Sequence, residues 1–107
     1  MSPYESIAAG PWRLDADRIE MLGPGVRARL RLSEWRLARL LLSSPGKLFQ
    51  LETIMRELYD GSGQPNQRHN VRRHVATLRR KLGAAGRNLV TVRSFGYRWD
   101  NEVDACQ

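Results

Sequence analysis

Between Asp60 and Asp100 the sequence has no aspartate or glutamate, although nine of its 18 lysines and arginines lie there. A face that is merely solvated mixes both signs, so a one-signed stretch of this length argues against a plain hydrophilic surface. Cysteine is just as scarce. The single residue, Cys106, stands beside the C-terminus, which excludes an internal disulfide and a thiolate metal site and fits a reducing cytoplasm. No apolar run approaches the roughly 18–20 residues of a membrane span. The first residues also lack the charged start and apolar stretch of a signal peptide, so a soluble cytoplasmic protein is expected. The two histidines, His69 and His74, are five apart with no carboxylate or thiolate beside them, a poor set for holding a metal. There is no nucleophile paired with a base, no glycine-rich phosphate cradle and no carboxylate cluster. Neither an enzyme nor a cofactor is expected.

What is present is enough for one domain. The chain has 107 residues, 41% hydrophobic with three tryptophans, and residues 1–107 read as a single unit whose core covers about 11–100. The formal net charge is +7, which calls for a polyanionic partner, either nucleic acid or an anionic membrane surface. Composition alone does not choose between them.

Ile7 to Ala9 adds at most a short edge strand. From Trp12 the pattern alternates: Trp12 and Leu14, then Ile19 and Met21, then Val26, Ala28, Leu30 and Leu32 with Arg27, Arg29 and Arg31 between. Asp15-Ala16-Asp17 and Gly23-Pro24-Gly25 supply the turns, so residues 11–32 predict an antiparallel meander. Its arginines serve either as a second phosphate strip or, the favoured reading, to solvate a strand face and protect it from aggregation. Ser33 is a good N-cap for a first helix to about Leu42, with Trp35, Ala38, Leu41 and Leu42 inward. After an extended Lys47-Leu48-Phe49, the positions Leu51, Ile54, Met55 and Leu58 predict a second helix starting near Gln50. Residues Asp60, Gly61, Ser62, Gly63, Gln64, Pro65, Asn66 and Gln67 are dense in turn formers and read as an exposed loop.

The stretch 68–82 then places Val71, Val75, Leu78 and Leu82 on one helical stripe. Opposite it lie Arg73, Ala76, Thr77 and Arg80, with Arg72 and Arg79 on one flank and His74 and Lys81 on the other. Such a face suits a helix in the major groove with flanking cations on phosphates. Asn66 or Asn70 is its expected cap. Gly83-Ala84-Ala85-Gly86 ends it, and residues 89–93 and 97–99 predict a two-stranded hairpin with Arg93 at its tip. The tryptophans Trp12, Trp35 and Trp99 sit in apolar alternation and are expected in the core. Three helices, the last basic, followed by a hairpin with a tip arginine give an α+β winged helix-turn-helix with an N-terminal β-meander. Its third helix would enter the major groove and its wing the adjacent minor groove.

These residues carry a specific resemblance. Leu32-Ser33, the Ser-Pro-Gly that ends the first helix, Leu58-Tyr59, the run from Val71 to Leu82 and above all Thr91-Val92-Arg93-Ser94-Phe95-Gly96-Tyr97-Arg98 resemble the DNA-binding domain of OmpR/PhoB-type response regulators. The likeness spans about residues 11–100. It implies a bacterial transcription regulator that binds double-stranded DNA at direct repeats, and it makes the loop from Asp60 to Gln67 the implied RNA polymerase contact. The candidate DNA-binding residues are Arg68, His69, Arg72, Arg73, His74, Ala76, Thr77, Arg79, Arg80, Lys81, Thr91, Arg93 and Tyr97. A membrane partner is not implied. Three positions depart from the family pattern: Arg72 replaces a usual acid, Thr77 a usual base-reading arginine, and Ser94 a usual glycine at the wing turn. Phe95 either meets sugars or packs on the wing base. The family usually carries a receiver domain before this one, and none is read in these 107 residues. The chain is therefore either an excised effector domain or a short regulator, the second slightly favoured by its native-looking tail. It is expected as a free monomer that assembles head to tail on DNA. Two further readings stand beside this one: a winged helix that docks a regulator or a polymerase subunit, and a low-specificity nucleoid protein.

Overall fold

In the computed structural model, which describes residues 6–59 and 67–101 and the side chains of 6–58 and 70–101, the chain order is four strands, three helices with a short strand between the first two, and a hairpin. Of the expected loop 60–67, residues 60–66 lie outside the described parts, as do the side chains of Gln67, Arg68 and His69 and the residues after Asn101.

The N-terminal sheet is a meander of β1 (Ile7–Ala9), β2 (Trp12–Asp15), β3 (Glu20–Gly23) and β4 (Val26–Arg29), all antiparallel and in sequence order. Register places Leu14 beside Met21 and Met21 beside Ala28, so one face buries these three while Arg13, Leu22 and Arg27 share the other. Two sequence expectations are corrected here. Ile19 belongs to the turn rather than to a strand, with φ +51, and its carbonyl accepts from the Leu30 N–H at 2.9 Å. The Asp15 carboxylate explains the early turn: it accepts from the N–H groups of Asp17 and Arg18 at 2.9 and 3.3 Å. Leu32, expected inward, is 45% exposed, because the first helix already begins there. Arg27 lies 3.8 Å from Glu20 across the sheet, in keeping with a solvated strand face.

Helix α1 (Leu32–Ser43) is capped at Arg31 instead of Ser33. The reason is Glu34, which sits three residues on and accepts from the Arg31 N–H at 2.9 Å, the reaching-back half of a capping box. Its inward residues Trp35, Leu37, Ala38, Leu41 and Leu42 are buried. Helix α2 (Leu51–Tyr59) buries Ile54, Met55 and Leu58. The Arg36 guanidinium donates to the carbonyls of Glu57 and Leu58 at 2.7 and 3.1 Å, satisfying orphan acceptors at the end of α2. Helix α3 (Gln67–Leu82) buries Val71, Val75, Leu78 and Leu82 against α1 and α2, as its stripe predicts. Asn70 lies inside α3 and is not its cap. A 3₁₀ segment, Gly83–Asn88, follows, entered through Gly83 at φ +61.

The C-terminal hairpin is β6 (Leu89–Val92) and β7 (Gly96–Trp99), but the sheet has three strands, not two. Between α1 and α2, β5 (Phe49–Gln50) pairs with β7 through Phe49–Tyr97 and Gln50–Gly96. The two sheets meet through Trp12 and Trp99, whose rings stand edge to face at 5.3 Å and 84°. All three tryptophans are 3% exposed or less, as their patterning predicts.

Candidate nucleic-acid interface

The outward surface of α3 carries Arg72, Arg73, Ala76 and Arg80 exposed, with Thr77 half-buried among them. The Arg80 guanidinium approaches the Thr77 hydroxyl at 3.5 Å, so the small centre of the face is bordered by long cations. The wing turn adds Arg93, Ser94 and Phe95, all exposed and closed by the Phe95 N–H on the Val92 carbonyl at 3.0 Å. Helix and wing are not separate patches. Arg72, Arg93, Thr91, Phe95 and Tyr97 line one groove of about 480 Å³, with Leu51 and Glu52 of α2 as its far wall.

Several candidates are placed otherwise than their helical positions suggest. Arg79 is turned along the protein: Nε and Nη2 donate to the Leu89 carbonyl at 3.0 and 2.7 Å, and Nη2 also donates to the Thr91 hydroxyl at 2.6 Å. Lys81 reaches back to α1 and donates to Glu34 at 2.7 Å. Glu34 is 1% exposed, and a buried carboxylate needs such a partner. Helical geometry alone puts both residues among the flanking cations, because it fixes where a side chain starts and not where a long one ends. His74 is half-buried on the flank facing α1. Burial pushes its pKa below the ordinary histidine value near 6.5, with Glu34 opposing and Arg73 and Arg31 reinforcing the shift. Tyr97 is 8% exposed, its ring forming the groove floor between β5 and β6. Phe95 is the opposite case. At 59% exposed it does not pack on the wing base.

Ser94, where the resembling family usually has glycine, takes φ +69. The wing turn therefore has the left-handed conformation that glycine adopts freely and serine does not. Ser94→Gly is expected to raise stability by about 0.5 kcal/mol, the relief of left-handed strain being partly offset by the greater freedom of glycine in the unfolded chain. Denaturant unfolding of the two proteins checks this, and a lower midpoint for the glycine variant would contradict it.

Among the described residues no group of three or more histidine, cysteine, aspartate or glutamate side chains is arranged to hold a metal. No described helix is long and apolar enough to cross a membrane.

Three packed helices followed by an antiparallel hairpin, with the N-terminal meander packed against α1 and α3, define an α+β winged helix-turn-helix domain. The chain belongs to the OmpR/PhoB-type family of C-terminal domains of transcriptional regulatory proteins, whose model matches residues 25–99. It is 33% identical over 103 residues to the transcriptional regulatory protein BaeR of Escherichia coli O6:H1, covering 94% of this chain and 42% of BaeR. It is 35% identical over 94 residues to the response regulator protein PmrA of Pseudomonas aeruginosa, covering 88% of this chain and 41% of PmrA. Among solved structures, the DNA-binding domain of the response regulator AdeR in complex with an intercistronic region superposes with a TM-score of 0.72 at 26% identity, covering 90% of this chain and all of that one. The chain thus spans about two-fifths of the length of the curated relatives it matches.

Proposed function

We propose that the chain is a sequence-specific double-stranded DNA-binding regulator of transcription, with α3 in the major groove and the wing in the adjacent minor groove. The observation that carries this reading is that Arg72 of α3 and Arg93 of the wing turn line one groove, within a stretch that has no acidic residue from 61 to 99. The AdeR domain, which shares the fold, has been crystallised with DNA. In this reading Arg72, Arg80 and Arg93 meet backbone phosphates or a narrow minor groove, while Arg73, Ala76 and Thr77 face base edges. In this reading the protein works in the cytoplasm.

Counting Arg72, Arg80, Arg93 and Arg68, about three to four phosphates are neutralised, and log affinity against log salt should fall with a slope of about −2.7 to −3.6. Titration of labelled duplexes at several salt concentrations measures it. A flat salt response, or no binding to any duplex at low salt, sinks the DNA reading. Within it, Arg72→Ala and Arg80→Ala weaken all sequences alike, whereas Arg73→Ala changes the motif recovered by in vitro selection. An unchanged motif would mean that the helix docks in another orientation.

Two finer readings complete the proposal. A lone domain contacts few base pairs, each worth about 1–3 kcal/mol, too little to single out one genomic site. Free monomers that bind head to tail on direct repeats supply the rest, with the meander of one copy against the wing side of the next. Lengthening a repeat spacing of about 10 base pairs by half a turn should abolish cooperativity, because the two copies then face opposite sides of the duplex. A stable dimer without DNA, or indifference to the insertion, overturns this assembly. The loop 60–67 is the proposed contact for RNA polymerase, by family resemblance.

A further inference from the structure

The bonds of Arg79 connect the recognition helix to the wing. Its guanidinium leaves α3 and holds β6 at two points, the Leu89 carbonyl and the Thr91 hydroxyl, through three hydrogen bonds of 2.6–3.0 Å. Its main chain is held at the same place. The 3₁₀ segment passes so close that a Cβ on Gly86 would lie 2.6 Å from the Arg79 carbonyl oxygen. The base of the wing is closed independently, by the Asn88 amide donating to the carbonyls of Asp100 and Asn101 at 2.8 and 3.3 Å. That closure fixes the hairpin to the body of the domain but says nothing of its angle to α3.

We infer that Arg79 is a positioning residue: it sets the wing on the recognition helix so that Arg93 and the Thr91 hydroxyl meet the DNA backbone in register with α3, and it does not itself neutralise a phosphate. This rests on the DNA-binding reading above. A hydroxyl that accepts from a guanidinium keeps its own proton to donate, and Thr91 is exposed on the groove. Arg79 thereby makes Thr91 an outward donor suited to a phosphate oxygen. A lysine at 79 keeps the charge but presents a single nitrogen, which cannot reproduce a planar fork spanning a carbonyl and a hydroxyl. Charge and position are therefore separable at this residue.

The experiment compares wild type, Arg79→Lys, Arg79→Met and Thr91→Val, each with and without Arg93→Ala. The probes are 20-base-pair random duplexes with A·T-rich or G·C-rich arms, and binding is read as a function of salt. The expected result is that both Arg79 variants lose affinity alike, about three- to tenfold on A·T-rich arms, the worth of one or two hydrogen bonds. In the Arg93→Ala background that loss should shrink to the share carried by the Thr91 hydroxyl, and the salt slope there should stay unchanged. Restoration by lysine, or a slope reduced by about 0.9 in that background, would show a direct phosphate contact and overturn the inference. Thr91→Val removes only the oriented hydroxyl, so it keeps the test valid if Arg79→Met unfolds, and its loss should not add to that of Arg79→Lys. Amide hydrogen exchange of the free proteins provides a readout without DNA. Faster exchange in 90–98 for both Arg79 variants is expected, and unchanged exchange overturns the strut even where DNA binding itself fails. Absence of wild-type binding at low salt, by contrast, falls on the DNA reading.

Discussion

Gly96→Ala is expected to destabilise the domain by about 3 kcal/mol or more and to detach β5 from the wing sheet. A Cβ at this position would lie 1.9 Å from the Phe49 carbonyl oxygen, 2.9 Å from its carbon and 3.0 Å from the Gln50 Cα. All three are backbone atoms of the strand paired with β7, so no side-chain rotation relieves the clash. Either β5 leaves β7 or the hairpin tilts away. Both outcomes disturb the floor of the groove, because Phe49 pairs with Tyr97 next to Gly96. Thermal unfolding measures the stability loss, and hydrogen exchange of Gln50 and Tyr97 locates it. A melting temperature within a degree or two of wild type would show that the β5–β7 pairing yields without strain.

Removing the Glu34 carboxylate should come next in size. Glu34 is 1% exposed and does two things at once: it takes the Arg31 N–H at the start of α1, and it accepts from Lys81 near the end of α3. Glu34→Ala leaves a backbone donor at the helix start without its acceptor and a cation without its anion. The Lys81 side chain is 30% exposed, so water compensates part of that loss. The expected cost is about 2–4 kcal/mol, equivalent to about 10–25 °C in melting temperature for a domain of this size. Glu34→Gln keeps an acceptor for the Arg31 N–H and should lose about half as much. Equal losses for both variants would mean that the charge on Lys81, and not the cap, carries the stabilisation. Because Lys81 lies on the helix proposed to enter DNA, the alanine variant should also lose duplex affinity in proportion to its unfolding, with its selected motif unchanged.

The helices were legible in the residues wherever burial repeats. The stripe of Val71, Val75, Leu78 and Leu82, the inward set of α1, and Ile54, Met55 and Leu58 of α2 are buried as their spacing requires, while Leu51 is only partly covered. The same holds for the meander apart from Ile19 and Leu32, its turns following from Asp15 and the Gly23-Pro24-Gly25 step. Boundaries were read less well. Ser33 has the residue type of a cap, whereas the pair Arg31 and Glu34, three apart, carries the signal of a carboxylate reaching back to an N–H. The third wing strand had almost no signal, since two residues, Phe49 and Gln50, are too few to show a period. The glycine that makes their pairing possible was visible, but only as part of a family motif.

Residue type, periodicity and the distribution of charge by themselves determined the α+β class, the order of elements, the core face of each helix and the one-signed stretch from 61 to 99, because each of these is local along the chain. Which cations face outward was decided by tertiary contacts. Arg72, Arg73, Arg80 and Arg93 are exposed, whereas Arg79 is half-buried against a carbonyl on β6, and Lys81, though exposed, has its amine on a carboxylate of α1. A long side chain goes to whichever buried acceptor lacks a donor, and Leu89 and Glu34 come within reach only when β6 and α1 pack beside α3.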